Sequence, residues 1–404
     1  MKKFNINSLL FIAIMIFIII GICGTCFTRL KWGTIDMLAA MKHFNFTGIV
    51  NAKKTIDDVS SEELSYHDLM MDIESLRNNL LGTRVIFKDD TTVVKADSGS
   101  LIGPVNQLSR SEIAEVVSCI QELKEVSEEN GANFLYCAAP AKEQYEQAPS
   151  NIKNYSKENM ELFINELQES QIPVIDFSKS LGENGINDSN LFYQTDHHWT
   201  ARSGFVASVA ICEELSSRYG FSYNKQYTDL NNYSITCYPN WFLGSKGRKV
   251  GTFFTWQGAD DFELITPLFD TDFTELQPYK NEIREGSFEE TVLFTQNLEK
   301  DYYHKITYAT YSGGDFRLQI MKNNTNPGGK KILLVRSSFA CVVAPFLALQ
   351  TSELHICDMR DKEYYVGAKI NLKEYIQEIK PDYVIVLYSS VYRMKGSAGR
   401  YDFF

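Results

Sequence analysis

Two stretches of the chain hold side chains whose types and spacing suit acyl chemistry. The first is Thr195-Asp196-His197-His198-Trp199-Thr200. Asp196 and His198 are two apart, so in extended backbone they point to the same side. A carboxylate placed there holds one imidazole nitrogen and leaves the other free as a general base. The second is Lys331-Ile332-Leu333-Leu334-Val335-Arg336-Ser337-Ser338-Phe339, an apolar strand that ends in serines before a helix. A serine at such a turn is exposed at the carboxyl edge of a sheet, where the free N–H groups of the helix favour a developing oxyanion. Each stretch also has a plainer explanation. The histidine pair packs against or caps the following helix, and Ser337 or Ser338 serves as an N-cap. Asp196, His197 and His198 are also a candidate metal set. A metal needs further ligands, however, and His43, His67, His304 and His355 form no ligand-like cluster. The two stretches together favour catalysis, because a nucleophilic serine needs a base and an orienting acid at the same sheet edge. That fits His198 as base and Asp196 as acid beside a nucleophilic serine at 337 or 338, with no metal and no cofactor.

The elements that must position these residues follow from periodicity. Ile113, Val116, Val117, Ile120, Leu123 and Val126 recur at helical spacing within Ser111 to Asn130, and Gly131 ends that helix. Phe134 to Ala139 is a buried strand closed by Pro140. Helix Lys157 to Ser170, strand Pro173 to Phe177 and helix Ala201 to Tyr219 come next. The far end repeats the rhythm: strand Ile332 to Val335, helix Phe339 to Gln350, strand Glu353 to Cys357, helix Leu372 to Ile379 and strand Tyr383 to Tyr388. Strands apolar on both faces alternating with helices predict an α/β fold with a parallel sheet covered by helices on each side. Between Tyr223 and Pro327 the rhythm stops in favour of Gly, Thr, Phe and Tyr, which predicts an inserted, partly β cap over 223–327. Around it lies the catalytic domain, 98–222 and 328–404. Within the insert, Gly313-Gly314-Asp315 is either a turn before Phe316 to Met321 or a source of oxyanion donors through close backbone approach. Lys142 either meets an anionic group near the site or is a solvated loop lysine. Trp199 reads as a packing anchor beside the catalytic loop.

Composition narrows the function classes. The chain has 404 residues, with 51 acidic against 40 basic side chains and a net charge of −11. Without a Lys/Arg-rich tract, that balance argues against nucleic acid as a partner. Ser8 to Phe27 is an uncharged run that as a helix would be about 30 Å long, enough to span a bilayer. The expected layout is therefore a cytoplasmic tail over 1–7, a transmembrane signal anchor over 8–28 and a stalk over 29–97, with the catalytic domain extracytoplasmic at the cell membrane. Cys119, Cys137, Cys212, Cys237, Cys341 and Cys357 show no Cys-x-x-Cys spacing, so buried free thiols are the default.

Several segments in order carry a family resemblance. Asp196-His197-His198-Trp199 followed by a late strand–serine–helix resembles the DHHW family, related to the alginate O-acetylation proteins of the SGNH-hydrolase-like group. Pro140-Ala141-Lys142-Glu143, Phe242-Leu243-Gly244-Ser245-Lys246-Gly247, Val250-Gly251, Tyr311-Ser312-Gly313-Gly314-Asp315, Ala344-Pro345-Phe346-Leu347 and Pro381 to Tyr388 also match. The resemblance implies a three-layer α/β/α domain in which the Asp-x-His element precedes the serine element. It carries Asp196, His198 and Ser338 into the same roles. It also implies an acetyl group handed over by a multi-pass membrane acyltransferase and placed on a polysaccharide hydroxyl through an acyl-serine. One departure stands out. The family has Asp-Ser-Phe at the nucleophile, whereas this chain has Ser337-Ser338-Phe339 behind Arg336, which makes Ser337 a competitor as nucleophile. The alternatives are a carbohydrate acetyl esterase of the same fold and a catalytically inactive glycan-binding or export-complex protein.

Overall fold

The computed structural model describes residues 67–88, 91–183, 188–360, 365–389 and 400–404. They belong to two units divided between Leu80 and Leu81. In the first lies helix α1, His67–Leu80, with Asp68 in its first turn and Arg77 in its last, each complementing the helix dipole. The run Ser8 to Phe27 is outside the described residues. Among the described residues no helix is long and apolar enough to cross a membrane. The expected single-pass membrane placement is therefore not sustained by the described helices.

The second unit opens with a small antiparallel sheet of β1 (Val85–Lys88), β2 (Thr91–Lys95) and β3 (Leu101–Ile102). Helix α2, Arg110–Glu129, follows behind a capping box in which Ser109 and Glu112 satisfy each other's backbone N–H groups. Next come β4 (Asn133–Ala139), α3 (Ser156–Glu169), β5 (Val174–Asp176) and α4 (Ala201–Tyr219), the last stopped by Gly220 at φ 73°. β6 (Tyr233–Phe242) and α5 (Ser245–Val250) precede β7 (Asp260–Pro267), which pairs antiparallel with β6. β8 (Phe273–Gln277), β9 (Glu282–Gly286), β10 (Leu318–Asn323), β11 (Lys331–Arg336), α6 (Ala344–Ala348), β12 (Glu353–Cys357), α7 (Leu372–Ile379) and β13 (Tyr383–Ser389) complete the order.

Eight strands form the main sheet in the order β5-β4-β13-β11-β12-β10-β8-β9. From β5 to β12 the pairing is parallel, and from β12 to β9 it is antiparallel. The sheet is thus mixed, where a parallel one was expected. The reason lies in the segment 223–327, which adds β8, β9 and β10 to the sheet edge. β8 and β9 are joined by a short connection and pair antiparallel, since a parallel pair needs a long crossover, while β10 runs antiparallel to both β8 and β12 across longer connections.

Alternate residues of the central strands enter opposite cores, as the period of two requires. Leu135, Ile332, Leu334, Ile385 and Leu387 pack with Phe205 and Ile211 of α4 and Phe346 of α6. Phe134, Leu333, Val335, Val384 and Val386 pack with Ile113 and Val116 of α2, Phe163 of α3 and Ile376 of α7. Helices therefore cover both faces, in three layers.

The single helix expected from Phe339 to Gln350 is instead a 3₁₀ turn over Ser338–Val342 followed by α6. Pro345 in the first turn of α6 has no N–H to continue a helix from upstream and disfavours the helical conformation before it. α4 presses directly on that 3₁₀ turn: a Cβ on Gly204 would stand 2.4 Å from Val342 Cγ2 and 2.7 Å from its carbonyl oxygen. Gly204→Ala should therefore lose about 2 kcal/mol of stability in denaturant unfolding, although alanine is intrinsically the better helix former by about 1 kcal/mol. An unchanged midpoint would show that the contact yields without cost.

Candidate active site

Asp196, His198 and Ser338 form one hydrogen-bonded chain. Asp196 Oδ1 lies 2.5 Å from His198 Nδ1, and His198 Nε2 lies 2.7 Å from Ser338 Oγ. A carboxylate only accepts, so Nδ1 carries the proton and Nε2 is left to accept from the Ser338 hydroxyl. Oδ1 also accepts from the His198 backbone N–H at 2.9 Å, and Oδ2 from the Ser245 N–H at 2.5 Å. Burial opposes the Asp196 charge. The adjoining His198 and His197 rings and the bonds from His198 and Ser245 outweigh it, holding the carboxyl well below its usual range. Tyr308 stacks on the His198 ring at 4.2 Å, and Trp199, fully buried, donates from Nε1 to the Phe339 carbonyl at 2.9 Å. Trp199 thus ties the turn that carries Asp196 and His198 to the turn that carries Ser338.

The turn 193–200 has little regular structure, and its backbone is fixed from three directions. Lys142, 1% exposed, donates from Nζ to the carbonyls of Tyr193 (2.9 Å), Gln194 (2.8 Å) and Asp196 (2.5 Å). It is buried beneath the turn and not solvated, and its three hydrogen bonds all go to backbone carbonyls. Asp260 accepts from the backbone N–H groups of Gln194 and Thr195 and from Thr195 Oγ1. From α5, Gly247 N–H donates to the Thr195 carbonyl at 2.9 Å. Gly244 lies so close that a Cβ there would stand 2.3 Å from Asp196 Cβ, and its N–H donates to Thr195 Oγ1 at 2.8 Å. Lys142 is prominent in the sequence reading, but Asp260, Gly244, Ser245 and Tyr308 are not assigned there. Their partners are backbone atoms or rings distant in sequence, and the one available signal was the Phe242 to Gly247 segment of the family resemblance.

Beneath the nucleophile lies a buried ionic cluster. Arg336, 1% exposed, donates to Asp315 Oδ1 at 2.6 Å and to the Gly314 carbonyl at 2.7 Å. Arg360 bonds Asp315 Oδ2 at 2.8 Å and grips Asp358, which also accepts from Tyr365 at 2.7 Å. Gly313 and Gly314, at φ 71° and 98°, turn the chain so that Asp315 reaches this cluster. The contacts of Gly314 and Asp315 run to Arg336, Cys341 and Arg360, not to Ser338. Ser337 is buried, its N–H donates to the Leu387 carbonyl at 3.0 Å, and its Oγ has no hydrogen-bond partner among the described residues. His197 is part-exposed, with Nδ1 2.9 Å from Ser245 Oγ.

Donor atoms of Asp196, His197 and His198 lie within 4.8 Å of one another, close enough to consider a metal. The carboxylate oxygens, though, already accept from His198 and Ser245, and the two His198 nitrogens face Asp196 and Ser338. A cation there would have to break the chain of bonds.

Two consequences are measurable. Burial, then the neighbouring Lys246, pulls the Lys142 pKa from 10.5 down to about 8, against Asp260, Glu143 and Asp196. Between those values the folded protein binds fewer protons than the unfolded chain, so stability rises with pH. Urea unfolding at pH 7.5 and pH 10 should show wild type gaining roughly 2 kcal/mol relative to Lys142→Met. A pH-independent difference would mean the amine keeps its proton. Separately, Arg336→Met leaves Asp315 and Asp358 short of a buried partner and should cost about 3–5 kcal/mol in the same assay; a loss under 1 kcal/mol would show that the cluster repacks.

Residues 103–231 match the family model of the SGNH hydrolase-like domain of acetyltransferase AlgX. This segment contains Asp196 and His198 and stops short of Ser338, which the fold brings to them. No curated protein matches the sequence. Among solved structures the chain is similar to Bacillus cereus PatB1 with a sulfonyl adduct, at 19% identity over 76% of this chain and 95% of that one, with a TM-score of 0.60. It is also similar to a DHHW family protein from Eubacterium siraeum, at 19% identity over 76% and 92%, with a TM-score of 0.55. The resemblance carried by the motifs is met by this match: residues 103–231 are similar to the SGNH hydrolase-like domain of the acetyltransferase AlgX.

Proposed function

We propose that the protein is an O-acetyltransferase that moves an acetyl group onto a polysaccharide hydroxyl through an acyl-Ser338 intermediate. The observation that carries this reading is the unbroken chain Asp196–His198–Ser338, at 2.5 and 2.7 Å. His198 Nε2 takes the Ser338 proton as Oγ bonds to the acyl carbon of the donor, and returns it to the leaving group. In the second half, His198 takes the proton of the acceptor hydroxyl, whose oxygen bonds to the acyl carbon. The Ser338–acyl bond breaks, and the proton returns to Oγ. Asp196 keeps its charge throughout, holding the Nδ1 tautomer and stabilising the imidazolium. A multi-pass membrane acyltransferase, implied by the family resemblance, is the proposed source of the acetyl group.

The sulfonyl adduct recorded for PatB1 suggests a direct test, labelling with an arylsulfonyl fluoride and locating the adduct by mass spectrometry. The adduct should fall on Ser338. Turnover of an activated acetyl ester should drop by at least about a thousandfold in Ser338→Ala and in His198→Ala. Acetylated sugar in the presence of an oligosaccharide acceptor decides for transfer, and free acetate alone decides for an esterase. Labelling and turnover that survive in Ser338→Ala and vanish in Ser337→Ala would move the nucleophile by one residue. A folded wild type that neither labels nor turns over would end the reading.

A further inference from the structure

Two cavities share Gln257 as a wall, and the first of them borders the ends of the turn that carries Asp196 and His198. The first, of about 470 Å³, is walled by Gln194, Thr200, Arg202, Asn240, Gln257 and Glu263 among others. The second, of about 320 Å³, takes in Arg84, Gly99, Trp256 and again Gln257. Gly99 is pinched between the two amides: a Cβ on it would stand 3.2 Å from Gln257 Oε1 and 3.4 Å from Gln194 Nε2.

The chemistry of the lining is selective. Trp256 is 73% exposed, although indoles are among the side chains that folding buries most readily. The charges around it already have partners within the protein, Asp261 accepting from the Asn240 N–H and Lys95 donating to the Phe254 carbonyl. Arg202 holds Glu263 at 2.7 and 3.1 Å, Arg84 holds Asp97 at 2.6 Å, and Asp260 is taken by Gln194 and Thr195. A charged ligand would have to compete with these pairs. The amides of Gln194, Asn240 and Gln257, by contrast, both donate and accept. An aromatic face bordered by planar amides suits a sugar ring, whose C–H face stacks on the indole while its hydroxyls pair with the amides.

We propose that Trp256 and the two cavities form a binding surface for an uncharged, hydroxyl-rich oligosaccharide segment, holding the acceptor polymer beside the catalytic turn. This rests on the reading of the acceptor as a polysaccharide. The test is calorimetric titration of the full chain carrying Ser338→Ala, so that binding is read without acyl chemistry. Cellohexaose and an N-acetylglucosamine hexamer serve as probes, with hexagalacturonate as the charged comparison. At least one neutral hexamer should bind saturably and more tightly than hexagalacturonate. Adding Trp256→Ala should weaken it by about tenfold and Gln257→Ala severalfold, with unchanged circular dichroism. The surface is overturned if neither neutral hexamer binds, if Trp256→Ala binds as well as its parent, or if light scattering shows Trp256 buried in self-association instead. Silent acyl transfer with saccharide binding intact would remove the transferase reading and leave this surface standing.

Discussion

The site depends on one buried ammonium. A turn without regular hydrogen bonding exposes carbonyls that must find donors or cost free energy. Lys142 satisfies the carbonyls of Tyr193, Gln194 and Asp196 at once, while Asp260 answers the neighbouring N–H groups from the other side. Only a group with several donors in a small volume fills that position, and a lysine ammonium does so with a single point of charge. The rest of the chemistry follows from the resulting rigidity. Asp196 is held toward His198 by the Lys142 bond to its carbonyl and the close approach of Gly244 to its Cβ.

The nucleophile is held by a different logic. Ser338 begins a 3₁₀ turn whose position is set by packing against Gly204 above and by the Arg336–Asp315–Arg360–Asp358 cluster below. Charges buried this deeply are costly unless each is paired, and here each cation meets a carboxylate. Where the related family has an aspartate, Ser337 lies buried with its hydroxyl unpaired among the described residues.

Much of this was legible in the sequence where the signal is local. The helix Ala201–Tyr219, the strand Glu353–Cys357 and the helix Leu372–Ile379 fall where their apolar periods and caps place them. Asp196 and His198 announce themselves by spacing, and Ser338 by its place after an apolar strand. The antiparallel edge was not legible. β9 reads Glu-Ile-Arg-Glu-Gly, and a strand this polar at a sheet edge carries no hydrophobic alternation to detect. Lys142 was opaque for a different reason: its partners are carbonyls 51 to 54 residues away, and backbone atoms leave no mark in a sequence.

The order of the main sheet has a kinetic side. β13 lies between β4 and β11, so the pair β4 and β5, which precedes the Asp196–His198 turn, and the strand that precedes Ser338 are not joined without it. His198 and Ser338 are 140 residues apart, and the strand that joins their halves of the sheet follows both in the chain. The centre of the sheet is therefore a late, long-range closure, of the slow kind that non-local pairing imposes. Until β13 docks, β4 and β11 each present an unpaired parallel edge, and acid, base and nucleophile belong to separate fragments. An unfinished or half-folded chain thus carries all three residues without the hydrogen-bonded chain that joins them.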